Sequence, residues 1–508
     1  MKKEFKIFCF VFLFIVLMSF YVYADTEKAS RGTLKFGMGI DMVSFDVPNY
    51  RTGQDMRIGE IVFETLIALD ENLNYVPRLA TSWEKKDDLT WIFNLRKGVK
   101  FTDGTPFNAE AVKINLERSS KSVKGKTSLF MLSIVNILDD YKIEIKLKQP
   151  SAPFFPNLTN ITTAMMSPAA IEKYGDELFQ NPVGTGMFKL EKEEWKPGTQ
   201  VVFTRNEDYW GTPAKLEKLI FIPIPNEASR TMALKSGDVD IIENLPAFEV
   251  PSMEEDPNFK LLIVPQLKTV WVGFNCEDAV LKDPKVRRAI AHAIDRESIL
   301  KYTMAGLSRS AAPGFLPPEL MKTDPPLSLN YDPELSRKLL AEAGYEDGLK
   351  LQLLSPEGRY PKDLEIAQVV QEQLKNVGID VSIITTEFGS FIDTLIRHET
   401  QMFIIGWTIE KHPDSVFRAC FYGKTLTTNY ANYRNEEMDK LMDETTRLGD
   451  EEESNQNYYK IVKTLVVDDA VIFPLYYINM IYGLNSKVEE FSVLPTQFWG
   501  FSKTWIRD

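Results

Sequence analysis

Residues 181–211 decide the fold of this chain, and they read NPVGTGMFKLEKEEWKPGTQVVFTRNEDYWG. The Asn-Pro and Gly-x-Gly pairs within 181–186 predict a tight turn that begins a strand. Pro197-Gly198 predicts a second turn, after which the apolar run 201–204 returns along the first strand. The stretch therefore predicts a β-hairpin, and the aromatic pair Tyr209-Trp210 predicts that its end is packed.

Four further stretches of the chain also combine turn residues, helix caps or apolar runs. They are RKGVKFTDGTPF at 96–107, KVRRAI and AIDR within 285–296, the segment from YDP to AGY at 331–345, and the set Asn429, Tyr433, Asn435 and Asp439. In this order and spacing, the five stretches closely resemble the motifs of the family 5 extracellular solute-binding proteins. These are the receptors of peptide- and nickel-type ATP-driven importers. The resemblance covers essentially the whole chain after its N-terminal segment.

The resemblance implies an α/β, periplasmic-binding-protein-like fold of two lobes (type II, cluster C-like), with an extra inserted domain and a hinge between the lobes. The hinge is expected where the chain crosses between the lobes, near 270–274 and 477–483. The implied division is a signal peptide at 1–24, a first lobe at 25–269 with the inserted domain at roughly 55–180, a second lobe at 270–482, and a return to the first lobe at 483–508.

The residues themselves support an α/β reading of the C-terminal half. Asp283-Pro284 is an N-cap followed by proline, which predicts a helix start. Residues 349–354 read as a strand, 364–377 as an amphipathic helix and 381–384 as a second strand, which together predict a βαβ unit with parallel strands. In the N-terminal half, 142–147 alternates apolar and polar residues, as a half-solvated strand does.

The N-terminus has the pattern of a secretory signal peptide. Three lysines precede the apolar run from Ile7 to Val22, and small residues at 22 and 24 predict cleavage after Ala24. The alternative is a retained membrane anchor, for which the apolar run is short. Cys9 lacks the small-residue context of a lipidated cysteine. A soluble periplasmic protein is therefore expected.

The charge of the chain argues against nucleic-acid binding. The net charge is −13, and removal of the first 24 residues, which carry three Lys and one Glu, changes it to −15. An acidic chain repels phosphates, and no basic patch interleaved with aromatic residues is visible. Cleavage leaves Cys276 and Cys420. We expect them to be buried free thiols, although the sequence leaves a disulfide open.

The sequence carries no convincing enzymatic motif. Gly125-Lys126-Thr127 resembles the end of a phosphate loop, but Ser120 occupies the position of the upstream glycine. His398-Glu399 opens a zinc-protease motif, but Met402 replaces the second histidine. The chain has no Gly-x-Ser-x-Gly sequence, and its three histidines are scattered. We therefore expect neither catalysis nor a cofactor or metal.

Candidate ligand-binding residues lie on loops that would face a cleft. In peptide-binding relatives, a Trp is followed three places later by an Asp that pairs with the α-ammonium group of the ligand. The resemblance therefore implies that Trp407 lines the cleft and that Glu410 pairs with the ammonium group, with Asp414 as the alternative. Arg359, between a strand and a helix, is expected to hold a carboxylate. Phe45 is the candidate from the first lobe.

The resemblance implies a periplasmic receptor that captures a di- or oligopeptide by hinge closure and delivers it to the permease of an ABC importer, as a monomer. An opine, glutathione, an oligosaccharide or a nickel chelate is the alternative ligand. From other classes, an envelope hydrolase and a peptide-holding chaperone are the competing hypotheses.

Overall fold

The computed structural model describes residues 32–321, 326–409, 412–425, 427–448 and 451–507. The predicted signal peptide lies outside these residues. Within them, none of the helices combines the length and the apolar character that a membrane crossing requires.

The described strands, in chain order, are β1 Thr33–Met38, β2 Ile67–Leu69, β3 Tyr75–Pro77, β4 Ala80–Asp87, β5 Thr90–Leu95, β6 Leu132–Asp139, β7 Lys142–Leu147, β8 Phe188–Leu190, β9 Val201–Arg205, β10 Lys218–Pro223, β11 Ile241–Ile242, β12 Phe259–Phe274, β13 Arg309–Ser310, β14 Leu349–Pro356, β15 Ile379–Thr386, β16 Met402–Thr408, β17 Ile472–Asn485, β18 Val488–Glu489, β19 Ser492–Val493, β20 Trp499–Gly500 and β21 Trp505–Ile506.

The described α-helices, in chain order, are α1 Gly53–Val62, α2 Ala109–Ser119, α3 Gly125–Ser128, α4 Phe154–Asn157, α5 Pro168–Tyr174, α6 Glu227–Ser236, α7 Val250–Glu254, α8 Pro284–His292, α9 Arg296–Thr303, α10 Pro333–Glu342, α11 Asp363–Lys375, α12 Phe388–Ile396, α13 Asp414–Cys420, α14 Glu436–Arg447 and α15 Glu451–Lys463.

One large mixed sheet runs through the molecule. Its described strands follow the order β15-β14-β16-β12-β17-β11-β1-β10-β9-β8, and β13 also pairs with β17. The long strands β12 and β17 are antiparallel neighbours near the middle of this order, so they join its two sides. On the C-terminal side, β14 and β15 are parallel and α11 connects them. The predicted βαβ unit is therefore confirmed.

The hairpin predicted from 181–211 is confirmed, because β8 and β9 pair antiparallel. The reason for its two glycines differs from the prediction. Neither Gly184 nor Gly186 has the positive φ of a glycine-dependent turn, but a Cβ on either would meet the carbonyl oxygen of Val62, at 2.1 and 2.6 Å respectively. These positions require glycine because two backbones approach closely there.

The aromatic end of the hairpin is anchored to a buried carboxylate. Tyr209 Oη donates to Glu64 Oε1 over 2.8 Å, and Trp210 Nε1 donates to Glu64 Oε2 over 2.7 Å. Arg78 Nε lies 3.1 Å from Oε1, and Thr185 Oγ1 donates to Oε2. Glu64 has no exposed surface. Its two oxygens are therefore satisfied in the interior by a cation and by neutral donors.

A separate antiparallel sheet, in the order β4-β5-β7-β6, lies outside the large one. Ile143, Ile145 and Leu147 of β7 face its core, as the alternation within 142–147 predicts. In the C-terminal half, the Asp283 side chain accepts from the Lys285 backbone N–H over 2.8 Å and caps α8 as predicted.

Cys276 and Cys420 are both free, as expected. Cys420 is buried, whereas Cys276 is only half-buried. Burial raises the pKa of the Cys276 thiol to about 11, so the thiol stays protonated at neutral pH.

The Glu64 cluster allows a test of this packing. Glu64→Gln leaves the cation of Arg78 without its carboxylate, so we expect the free energy of unfolding to fall by about 3–5 kcal/mol. Urea denaturation followed by circular dichroism measures this change. The control is Arg337→Gln, which removes the solvent-exposed pair with Glu334 and is expected to cost less than about 1 kcal/mol. Equal losses in the two variants would contradict the proposed role of Glu64.

Candidate ligand-binding cleft

The pairing of β12 with β17 has a break in its middle. The register runs from Phe259 opposite Asn485 to Pro265 opposite Asn479, and it resumes only at Thr269 opposite Tyr477. Three residues, 266–268, therefore oppose a single residue of β17. Such an insertion bends a strand and redirects its side chains.

The backbone of the inserted residues bonds elsewhere. The Leu267 N–H donates to the Pro495 carbonyl over 3.3 Å, and the Leu267 carbonyl accepts from the Ile409 N–H over 2.7 Å. The break thus connects the C-terminal segment with the end of β16. The side chains of Gln266 and Lys268, on either side of Leu267, belong to this junction.

Lys268 lies among other cations. Its Nζ is 5.2 Å from the centroid of the Tyr360 ring. Burial, together with the positive charges of Arg359 and Arg57, lowers the pKa of Lys268 to about 7. Among the described residues, no carboxylate forms an ion pair with its ammonium group.

Arg359 and Trp407, both predicted from the sequence, converge at the same place. Tyr360, next to Arg359, donates its hydroxyl to the Gly406 carbonyl over 3.1 Å. Burial raises the pKa of Tyr360, so this hydroxyl remains a donor. Trp407 follows Gly406 on β16, is half-buried, and lies opposite Thr269 of β12. The loop after β14 and the end of β16 therefore meet beside the break in β12.

The guanidinium group of Arg359 is exposed and stacks on an aromatic ring. Its Cζ lies 4.6 Å from the centroid of the Phe388 ring, and the backbone N–H of Arg359 donates to Asp363 Oδ2 over 2.9 Å. Within the described parts of the chain, its side chain forms no ion pair. It is therefore oriented by stacking and retains donors for an anionic group.

Arg57 brings a third cation from the opposite side of the sheet. Its Nη1 lies 2.6 Å from Glu243 Oε2, and its Nη2 donates to the Gln497 side chain over 3.1 Å. Gln497 in turn donates to Gln266 Oε1 over 3.2 Å. A chain of polar groups thus runs from α1 through the C-terminal segment to the break in β12.

The remaining predicted residues are placed differently. Asp414 is only 4% exposed, and its carboxylate accepts from Arg418 and Thr446, at 3.1 and 2.6 Å. Phe45 has no exposed surface and packs edge-on against Trp195 in a core, so it has no surface available to a ligand. Both side chains are therefore engaged within the protein.

Glu410, the predicted partner of a ligand ammonium group, lies outside the described residues. Two further concavities of the surface, of about 640 and 670 Å³, lie away from Trp407 and Arg359. In the described part of the chain, no cluster of three or more His, Cys, Asp or Glu side chains is arranged to hold a metal ion.

Comparison with known proteins decides the family of the chain. The model of the bacterial extracellular solute-binding proteins, family 5 Middle, matches residues 74–429. The chain belongs to this family. The glutathione-binding protein GsiB of Escherichia coli O1:K1 is 28% identical over 480 residues, which cover 91% of this chain and 92% of that protein.

Solved structures agree with this assignment. The ABC transporter-associated periplasmic binding protein DppA of Helicobacter pylori, in complex with the peptide STSA, is 27% identical, with a TM-score of 0.76 over 94% of this chain and 98% of that chain. The ABC transporter substrate-binding protein CtaP of Listeria monocytogenes gives a TM-score of 0.85 over 95% and 100% of the two chains. Its 23% identity supports a likeness of fold alone.

The predicted two-lobe α/β fold and the resemblance to family 5 are therefore confirmed. The chain is a solute-binding receptor of the ABC-importer class. The family consists of receptors rather than enzymes, and its members are periplasmic binding proteins.

The sequence analysis does not predict three polar residues of the candidate cleft. They are Arg57, Gln266 and Lys268. One signal could identify the last two, because Gln266 and Lys268 interrupt the largely apolar run 261–274. Polar residues within an apolar strand mark a bulge or a ligand-facing position. Arg57 carries no such signal, since it lies on an amphipathic helix.

The contacts of Asp414 predict a structural role for this residue. Asp414→Asn weakens its charged hydrogen bonds to Arg418, so we expect the free energy of unfolding to fall by about 1.5–3 kcal/mol. Thermal and urea unfolding measure the loss. Glu444→Gln, which removes an exposed pair with Lys440, serves as the control and is expected to have little effect. Unchanged stability of Asp414→Asn would refute this role.

Proposed function

We propose that this receptor captures a short peptide between its two lobes and delivers it to the permease of an ABC importer in the membrane. The convergence of Arg359 and Trp407 beside the crossing strands carries the proposal. Arg359 holds the α-carboxylate of the peptide, Glu410 pairs with its α-ammonium group, and Trp407 forms a wall of the cleft. Asp414 remains the alternative partner of the ammonium group and Phe45 the candidate from the first lobe, although both side chains are buried in the described structure.

The mechanism is closure about the crossing strands. A ligand that contacts both lobes only in the closed form shifts the equilibrium towards that form. Micromolar affinity corresponds to about −8 kcal/mol, which one ion pair, backbone hydrogen bonds and trapped water can supply. The proposed division has a first lobe at 25–269 and 483–508, an inserted domain at roughly 55–180 and a second lobe at 270–482.

The remaining parts of the proposal follow from this role. The signal peptide at 1–24 directs the chain to the periplasm, where it is cleaved after Ala24 and released as a soluble monomer. The receptor is not an enzyme, so it releases its ligand chemically unchanged. The permease recognises the closed form.

Two relatives support a peptide ligand. DppA of Helicobacter pylori binds the peptide STSA in its solved structure. GsiB is named for glutathione, which is itself a modified tripeptide. Glutathione is therefore the second candidate, favoured because the 28% identity extends over 91% of this chain.

Native mass spectrometry tests the receptor role most directly. Protein purified from the periplasm without refolding is expected to carry a co-purified small molecule, whose mass distinguishes a peptide from glutathione. Addition of that compound is expected to reduce the radius of gyration in small-angle scattering. A scattering profile unchanged by every bound compound, or a ligand recovered in cleaved form, would refute the proposal.

The predicted role of Glu410 can be tested with a matched pair of ligands. We expect Glu410→Gln to weaken binding of Ala-Ala-Ala by about 100-fold or more, because a buried ammonium group loses its carboxylate. N-acetyl-Ala-Ala-Ala, which has no ammonium group, is expected to bind wild type and variant equally weakly. Isothermal titration calorimetry measures both affinities.

The control for this experiment is Glu399→Gln, the same chemical change at an exposed residue before β16, which is paired with Arg397. It is expected to leave both affinities unchanged. Full affinity of Glu410→Gln for Ala-Ala-Ala would exclude Glu410 as the ammonium partner.

A further inference from the structure

The break between β12 and β17 places a cation where the proposed peptide contacts do not need one. In the proposal above, Arg359 accounts for the α-carboxylate and Glu410 for the α-ammonium group. Lys268 is an additional cation beside them, held near the Tyr360 ring at 5.2 Å. A half-buried ammonium group without a described carboxylate partner is costly unless another group compensates its charge.

Two cations surround Lys268 from different parts of the fold. Arg359 comes from the loop after β14 and Arg57 from α1, and both act on the charge of Lys268. Arg57 already has a carboxylate partner in Glu243. The concentration of positive charge is therefore centred on Lys268 and Arg359, between the two sides of the large sheet.

The neighbourhood also has a donor without an acceptor. Gln266 is only 4% exposed, and its Nε2 makes no hydrogen bond although its Oε1 accepts from Gln497. Gln266 and Lys268 both lie within the residues that the break in register displaces from the ladder. An unpartnered, buried N–H two residues from an unpartnered ammonium group, within the same break, is suited to one acceptor that contacts both.

We propose that Lys268 and Gln266 form a subsite for a second anionic group of the ligand, separate from the carboxylate held by Arg359. The ligand is therefore an acidic one, such as a peptide with a carboxylate side chain or any molecule with two carboxylates. This inference rests on the proposed receptor function and specifies its ligand class.

The electrostatics of the subsite make binding sensitive to pH. The charged and titratable groups around Lys268 are Arg57 and Glu243 on one side, and Arg359, Tyr360 and Asp363 on the other. With a pKa of about 7, Lys268 in the empty cleft is largely neutral at pH 8. An anionic group raises this pKa, so binding at pH 8 takes up close to one proton. The affinity for acidic ligands is accordingly greatest below pH 7 and falls as the pH rises.

Calorimetry with matched tripeptides tests the subsite. The two peptides of each pair differ by one carboxylate. The pairs are Glu-Ala-Ala with Gln-Ala-Ala, Ala-Glu-Ala with Ala-Gln-Ala, and Ala-Ala-Glu with Ala-Ala-Gln. We expect the Glu peptide of at least one pair to bind about 10- to 100-fold more tightly than its Gln partner. Titrations at pH 8 in triethanolamine and in Tris, two cationic buffers whose ionisation enthalpies differ, are expected to show proton uptake for that Glu peptide only.

Two variants separate the subsite from general effects of charge. Lys268→Met retains the length of the side chain and is expected to abolish both the preference for the Glu peptide and the proton uptake. Lys350→Met, at an exposed position on β14, is expected to retain both. Tight binding of Gln peptides to Lys268→Met would show that this variant folds normally.

The outcomes distinguish this inference from the receptor proposal. Equal affinities for the Glu and Gln peptides, without proton uptake, would overturn the subsite and leave a peptide receptor. If no tripeptide binds, the peptide proposal fails. The affinities for glutarate, which has two carboxylates, and glutaramate, which has one, then test the subsite. A preference for glutarate that Lys268→Met removes would support it, whereas equal binding, or none, would overturn it.

Discussion

The antiparallel pairing of β12 with β17 is the constraint on which the rest of the structure depends. These two strands connect the two sides of the large sheet, so the geometry of the cleft between the lobes is set where they cross. Their ladder is interrupted at 266–268, and the backbone released there bonds to the C-terminal segment and to the end of β16. The same interruption joins distant parts of the chain and displaces the polar residues Gln266 and Lys268 from the ladder.

The motifs that reveal the family are structural rather than ligand-binding. Gly184 and Gly186 permit two backbones to approach, and Tyr209 and Trp210 donate to the buried Glu64. These requirements are specific to residue type, which explains why a sequence pattern predicts the hairpin, the capped helix α8 and the βαβ unit. The reason for the glycines could not be predicted, because it depends on a helix end more than a hundred residues away.

The proposed ligand site is less predictable because it is assembled from distant segments. Arg359 and Trp407 are candidates from the sequence, since Arg359 follows the strand β14 and Trp407 lies near the end of the strand β16. Arg57 and Gln497 cannot, because only folding brings α1 and the C-terminal segment to β12. Asp414 illustrates what the sequence does not show, since its position in the motif suggests a ligand contact while its carboxylate also accepts from Arg418 within the protein.

The charges of the cleft and of the whole chain have opposite signs, and the distance over which each acts determines which one a ligand senses. A net charge of −13 repels anions at long range, but salt screens exposed charges beyond about 8 Å at physiological ionic strength. Beside the break in β12, Lys268 is half-buried and Arg57 is largely buried, so salt screens the charges there only weakly. The proposed subsite implies that a small acidic ligand meets modest repulsion outside the protein and stronger attraction at this break. The acidic surface would then slow the approach of anions, while the cations at the break would set the affinity for them.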